Sequence, residues 1–308
     1  MVKSLGIAGL AALMVGLLAS CGDPAPPRPL EMSEYLKAPS PMAFVRVLSG
    51  RDRAGRTDAV KDALDAASIT YMEEPFVYRS FEGRNIVADV GRGERLLIIA
   101  AHTDPVPDTP AANDNASCVA AALSALQSLK AQPPQNLRVR FLFSDGEEYG
   151  LLGAKNHAER PDVLGAIGIA SFEMCGIGDA FGVWDVGSGT RKSDMVRAMQ
   201  KAGDKFGICN GLHGGVPRFS SDHRAFYDKG VVGVGVTVLP KDDEQTLRRY
   251  VDNPDNPLWL IKFLRPMIFQ TYHTPGDHPD TIKPAALAMT ARLMVETVRI
   301  LDSETGRK

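Results

Sequence analysis

Residues 95–102 read RLLIIAAH, an arginine followed by an unbroken apolar run that ends in a histidine. A run this short and this continuous is the pattern of a strand buried on both faces, and such a strand needs a layer of other elements on each side. The stretches LRVRFLF (137–143), AIGIASF (166–172) and VVGVGVTVL (231–239) have the same character. Helical patterns lie between and around them. Thr57 is placed to cap a helix running to about Ala67, with Val60, Leu64 and Ala67 on one face. Residues 116–130 put Val119, Ala122, Leu123, Leu126 and Leu129 at helical spacing. Pro284, a residue favoured in a first helical turn, opens a last helix with Leu287, Ala291, Met294, Val298 and Leu301 on one face. Strands alternating with helices predict one α/β domain, a three-layer α/β/α arrangement with a mostly parallel mixed central sheet, over residues 42–308.

The residues before this domain read differently. Lys3 precedes an apolar run from Leu5 to Ala19 that ends in LLASC at Cys21 and is short for a membrane span. The pattern is that of a bacterial lipoprotein signal over residues 1–20, with Cys21 as the acylated first residue of the mature chain. Residues 21–41 are proline-rich and read as an extended tether. The expectation is an exported, periplasm-facing lipoprotein, monomeric and touching the membrane only through its lipid. A formal net charge of -2 gives no basic footprint, which excludes nucleic acid as a partner. With Cys21 on the lipid, Cys118, Cys175 and Cys209 remain, with no CxxC spacing. They make no cysteine metal site, although any one pair could form a disulfide in an oxidising compartment.

In open α/β sheets ligands gather beyond the carboxyl ends of the strands, and the polar residues follow that rule. The run ending at Ala101 is followed by His102 and Asp104, the one ending at Phe143 by SDGEE with Glu147 and Glu148, and the one ending at Phe172 by Glu173. Asp114 in ANDNAS opens the next helix, and His273 in YHTPGD lies in a loop before the last one. Singly, each has an ordinary reading as a core histidine, a helix cap or a charge near a helix N-terminus. Jointly, two histidines and several carboxylates form a nitrogen and oxygen set suited to zinc, with one carboxylate able to bridge two ions. Two adjacent glutamates can then divide the work, one binding metal and the other accepting a proton from water.

The segments AAHTDPV, ANDNASC, FSDGEEYGLLGA, FEMCGIGD and YHTPGD resemble, in order, the motifs of the co-catalytic di-zinc aminopeptidases related to aminopeptidases S and Y, over residues 84 to 282. The resemblance implies a zinc exopeptidase fold and two zinc ions held by His102, Asp114, Glu148, Glu173 and His273. Asp114 would bridge the ions, Asp104 would orient His102, and Glu147 would be the general base. Glu173 stands where most members carry aspartate, so the donor atoms are kept on a longer arm. Substrates would be peptides with a free N-terminus. Ser221, Asp222 and His223 in FSSDHRAF are candidates to line the specificity pocket, and Tyr272 to donate to a tetrahedral intermediate. His157, His213 and His278 match no ligand position and read as surface or loop residues, and KDDEQ and VDNPDNP, near residues 241–257, as solvated loop. The alternatives are a glutaminyl cyclase, similar in fold but using one zinc, and a peptidase-fold binding module without catalysis, which predicts missing ligands.

Overall fold

The computed structural model describes residues 28–207, 210–212, 214–216 and 218–307, so the leader, Cys21, Cys209 and His213 lie outside the described residues. In chain order the elements are helices α1 (Pro41–Leu48) and α2 (Arg53–Ala66), strands β1 (Met72–Tyr78), β2 (Phe81–Gly91) and β3 (Arg95–His102), helix α3 (Ser117–Ala131), strand β4 (Leu137–Ser144), helix α4 (Leu152–Ala158), strands β5 (Gly168–Phe172) and β6 (Ala180–Trp184), helix α5 (Asp194–Lys205), strands β7 (Asn210–Leu212) and β8 (Gly233–Leu239), and helices α6 (Glu244–Asp252) and α7 (Pro284–Thr305). The described strands form one sheet in the order β1-β2-β4-β3-β5-β8-β6-β7. Its centre, β4-β3-β5-β8, is parallel. On one flank β2 runs antiparallel to β4 and β1 to β2, and on the other β6 runs antiparallel to β8. The expected mostly parallel mixed sheet is present.

The run at residues 95–102 behaves as its composition requires. Leu97, Ile99 and Ala101 point into the core formed with α1, α3, α5 and α7, while Leu96, Ile98 and Ala100 point into a second core with α4 and the helical turns 222–229. The last helix buries Leu287, Met294, Val298 and Leu301, and burial of each such side chain contributes about 1.5–3 kcal/mol. The four parallel strands end at one edge of the sheet, and the register pairs His102 with Ser144 there.

Two expectations change. Thr57 does not cap its helix: Asp52 does, accepting from Gly55 N at 2.8 Å, and Thr57 donates from inside the first turns to Arg53 O at 3.1 Å. The boundary at residue 42 falls late, because Leu30 N donates to Arg46 O at 2.9 Å and Tyr35 is buried with its ring centroid 5.1 Å from that of Phe44. Cys118 and Cys175 are both free, buried thiols. Among the described residues no helix is long and apolar enough to cross a membrane.

Candidate metal centre

His102 ends β3, Glu147 and Glu148 follow β4, and Glu173 is the first residue after β5, so three strand ends deliver four of the expected side chains to one edge of the sheet. Gly146 turns the chain out of β4 with φ of 78°, a conformation that side chains with a Cβ rarely adopt. Asp114 arrives on a turn at 112–116 whose backbone is non-helical at Asp114 and Asn115 and which leads into α3, and His273 in the loop before α7. The two halves of the set meet at Asp114. Its Oδ1 lies 3.3 Å from His102 Nε2, which is 3.1 Å from Glu173 Oε1. Its Oδ2 lies 3.2 Å from His273 Nε2, which is 3.3 Å from Glu148 Oε2. One donor atom each of His102, Asp114 and Glu148 falls within a span of 4.8 Å.

The imidazole orientation follows from its other nitrogen. His102 Nδ1 lies 3.0 Å from the Asp104 carbonyl oxygen. A carbonyl only accepts, so Nδ1 carries the hydrogen, and in the neutral ring the Nε2 lone pair is left for a cation. Asp104 thus orients His102 through its backbone, with its Oδ1 3.6 Å from Nδ1. Its carboxylate is occupied elsewhere, accepting from Glu147 N and Glu148 N at 3.0 Å each. That bidentate grip fixes the paired glutamates.

Burial and crowding set the protonation behaviour. Burial pushes Glu147 well above the usual carboxylate range, with Glu173, Asp222 and Glu148 adding to the rise. Burial raises Glu148 as well, and lifts Glu173 to about 7 against the pull of His102. Burial would lower both histidines, but His102 is held well above its ordinary value by Glu173, Asp104 and Asp114, and His273 is raised to about 10 by Asp114 and Glu148. Asp114 goes the other way: burial is outweighed by its two imidazole partners and its pKa is lowered. Too many carboxylates for the cations at hand is the imbalance that dications would correct, and the donors are those zinc takes, so the residues fit such ions.

The structure corrects the expected substrate residues. Ser221 donates to Glu173 Oε2 at 2.8 Å, so it holds a candidate ligand. Asp222 accepts from Ser144 Oγ and is buried. His223 is also buried, with Nδ1 2.6 Å from Ser171 Oγ and Nε2 3.0 Å from Asp185 Oδ2. None of the three lines the cavity beside the centre, which is about 180 Å³ and bounded by Glu147, Met174, Trp184, Phe219, Leu247, Phe269 and Tyr272 among others. Gly235 makes room for the Trp184 indole, since a Cβ there would come within 2.1 Å of the ring. Tyr272 does line the cavity, stacked on His273 with centroids 3.6 Å apart. Residues 244–252, expected as loop, form α6 and give Leu247 and Val251 to the wall. His157 is in α4, fully buried, with Nδ1 2.8 Å from Glu74 Oε2; His278 is in a loop as expected.

Other residues matter here that single-sequence reasoning passed over. Asp277 accepts from Asn113 N at 2.8 Å and Asp114 N at 3.0 Å, and burial lifts its pKa to about 7. Asn115 Nδ2 donates to Phe172 O at 2.9 Å, and Gly176 N donates to Asn113 Oδ1 at 2.8 Å, tying the Asp114 turn to the Glu173 strand end. All of these lie inside the motifs ANDNAS, FEMCGIGD and YHTPGD, and that is their one signal. Arg56 had none. It is fully buried in α2 and donates to Leu48 O, Pro110 O and Ala111 O at 3.1, 2.7 and 2.9 Å.

Imidazole and carboxylate pairs that meet at an aspartate, at the carboxyl edge of an α/β sheet, define a candidate metal centre. The sequence agrees: the chain belongs to Peptidase family M28, whose family model matches residues 85–298. It is 38% identical over 96 residues to the probable lipoprotein aminopeptidase LpqL of Mycobacterium tuberculosis, covering 30% of this chain and 19% of that one. The chain spans less than half the length of the curated relatives it matches. Its fold is similar to a zinc aminopeptidase from Bacillus subtilis, with a TM-score of 0.56, 21% identity, and 72% and 50% of the two chains covered. It is also similar to a Porphyromonas gingivalis glutaminyl cyclase, with a TM-score of 0.65, 19% identity, and 86% and 97% covered.

Proposed function

We propose that this protein is a zinc aminopeptidase that removes N-terminal residues from peptides. The observation that carries the reading is the placement of Asp114 between two imidazole and carboxylate pairs, with Glu147 half-buried beside them and outside both. His102, Asp114 and Glu173 would hold one ion and Asp114, Glu148 and His273 the other. When bound, the ions would polarise the scissile carbonyl and acidify a water. The chain's own part is proton handling and placement. Glu147, whose proton affinity burial raises, takes the proton of the attacking water on an ionised carboxylate oxygen and gives it to the leaving amine. Asp104 fixes the backbone on which Glu147 rides, and Ser221 fixes Glu173. The cavity walls of Met174, Trp184, Phe219, Leu247 and Phe269 would take an apolar side chain and exclude water from it. The sequence pattern at residues 5–21 supports export and acylation at Cys21, with the domain facing the periplasm.

Glu147→Gln tests the role assignment. Turnover of aminoacyl 4-nitroanilides should fall by about 10²–10⁴ while metal content by elemental analysis stays that of the parent. Near-parental turnover would remove Glu147 from the role. Counting two zincs per chain separates the reading from a one-zinc cyclase, and cleavage of N-blocked peptides at equal rates would sink the aminopeptidase reading.

A further inference from the structure

Beside the cavity, residues 258–267 expose Leu258, Leu260, Ile261, Phe263, Leu264 and Met267, with Leu260 82% and Phe263 76% accessible. The backbone beneath them is fixed. Asn256 Oδ1 accepts from Leu258 N at 3.0 Å, the Trp259 indole donates to Asn253 O at 2.8 Å, and Arg265 Nε donates to Trp259 O at 2.6 Å. So large a run of apolar side chains, held outward by a hydrogen-bonded frame, marks an interaction surface. Within residues 257–267 the charged side chains are Lys262 and Arg265, both cations.

We infer that this segment docks on a bilayer of anionic lipids, its apolar side chains entering the headgroup boundary and its two cations meeting the phosphates. The chain preceding the described residues argues for that occupant. Lys262 Nζ comes within 3.6 Å of the Cβ position of Gly276. Asp280, a few residues further on, shares a surface groove with Arg28, where the described chain begins. From Cys21 to Arg28 the backbone reaches at most about 25 Å. On the acylation reading above, on which this step rests, the lipid would hold this side of the domain close to the bilayer. The segment is also joined to the site by a series of rings. Trp259 packs on Tyr250, Tyr250 on Phe269, Phe269 on Tyr272 and Tyr272 on His273, with centroids 5.4, 4.9, 5.3 and 3.6 Å apart. Docking would therefore bring the α6 and Phe269 wall of the cavity to the membrane surface, where peptides released at the membrane would meet it.

The natural tryptophans provide the probe. The chain has two, Trp184, buried in the cavity wall, and Trp259, in the exposed segment. The full-length lipidated protein is reconstituted into phosphatidylethanolamine and phosphatidylglycerol vesicles, with plain or brominated acyl chains. The expected result is quenching in the brominated vesicles that disappears in Leu260→Asp/Phe263→Asp, with turnover of a soluble aminoacyl anilide unchanged. Equal emission in both vesicle types from a protein that partitions into detergent overturns docking and leaves the anchor standing. If the protein fails to partition into detergent, the anchor reading falls; docking is then upheld by quenching on added vesicles and overturned by its absence. A self-associating protein whose dimer is lost in the double variant, without quenching, also overturns docking.

Discussion

Arg56→Met removes a buried cation that the chain itself supplies behind the centre. Arg56 is fully buried, and burial lowers its pKa to about 10 against the pull of Asp277, Asp114, Asp104 and Glu148. Its three good hydrogen bonds end on carbonyls at the end of α1 and in the 103–111 loop, with a longer contact of 3.4 Å to Thr103 O. Hydrogen bonds to a charged group contribute about 1.5–3 kcal/mol each, so the gross loss is about 5–9 kcal/mol. Methionine fills much of the space and no longer carries the guanidinium's desolvation cost, so the net loss should be nearer the 3–5 kcal/mol typical of a broken buried pair. Urea unfolding of the chelated protein, followed by circular dichroism, should show this as a lower midpoint at unchanged slope. In a thermal scan it corresponds to roughly 6–20 °C for a domain of this size. Arg56→Lys keeps the charge but not the planar fork and should recover only part of the loss. A methionine variant within 1 kcal/mol of the parent would refute the reasoning, and full rescue by lysine would show that charge alone matters.

Ser221→Ala should weaken zinc binding by about 10–100-fold, read by competition with a fluorescent chelator, because Glu173 loses its 2.8 Å donor; an unchanged affinity would count against the role. Burial lifts Asp145 to about 6, above its ordinary range, against its bonds to Arg84 N and Arg53. A carboxyl raised in the folded state binds protons that the unfolded chain does not, so it adds stability as pH falls from about 7 to 4. Asp145→Asn should flatten that part of the chelated protein's stability profile by up to about 3 kcal/mol, and parallel profiles would contradict it. Glu147→Gln and the Leu260→Asp/Phe263→Asp pair complete the set.

What could be read from the sequence was whatever repeats locally or ends abruptly. The two-sided burial of β3 was legible because both faces must be apolar at once, and the polar residues after β3, β4 and β5 because strand ends are where such a sheet places a site. The adjacency of Glu147 and Glu148 suggests a division of tasks and only the resemblance assigns them; in the structure both line the cavity and Glu148 also faces His273.

Everything that depended on a distant partner was decided by the fold. Asp104 and His102 are two residues apart, yet the carboxylate grips the Glu147 and Glu148 amides while the carbonyl orients the imidazole. Ser221 lies 48 residues from Glu173 and meets it only because β5 and β8 are neighbours in the sheet. Arg56 looked like any helical arginine, because a charge buries only where carbonyls from other segments converge on it, and convergence has no signature in a linear pattern. Sequence by itself determined which residue types reach the sheet edge; tertiary structure decided which atom of each faces which partner, because hydrogen-bond geometry is set by neighbours far apart in the chain.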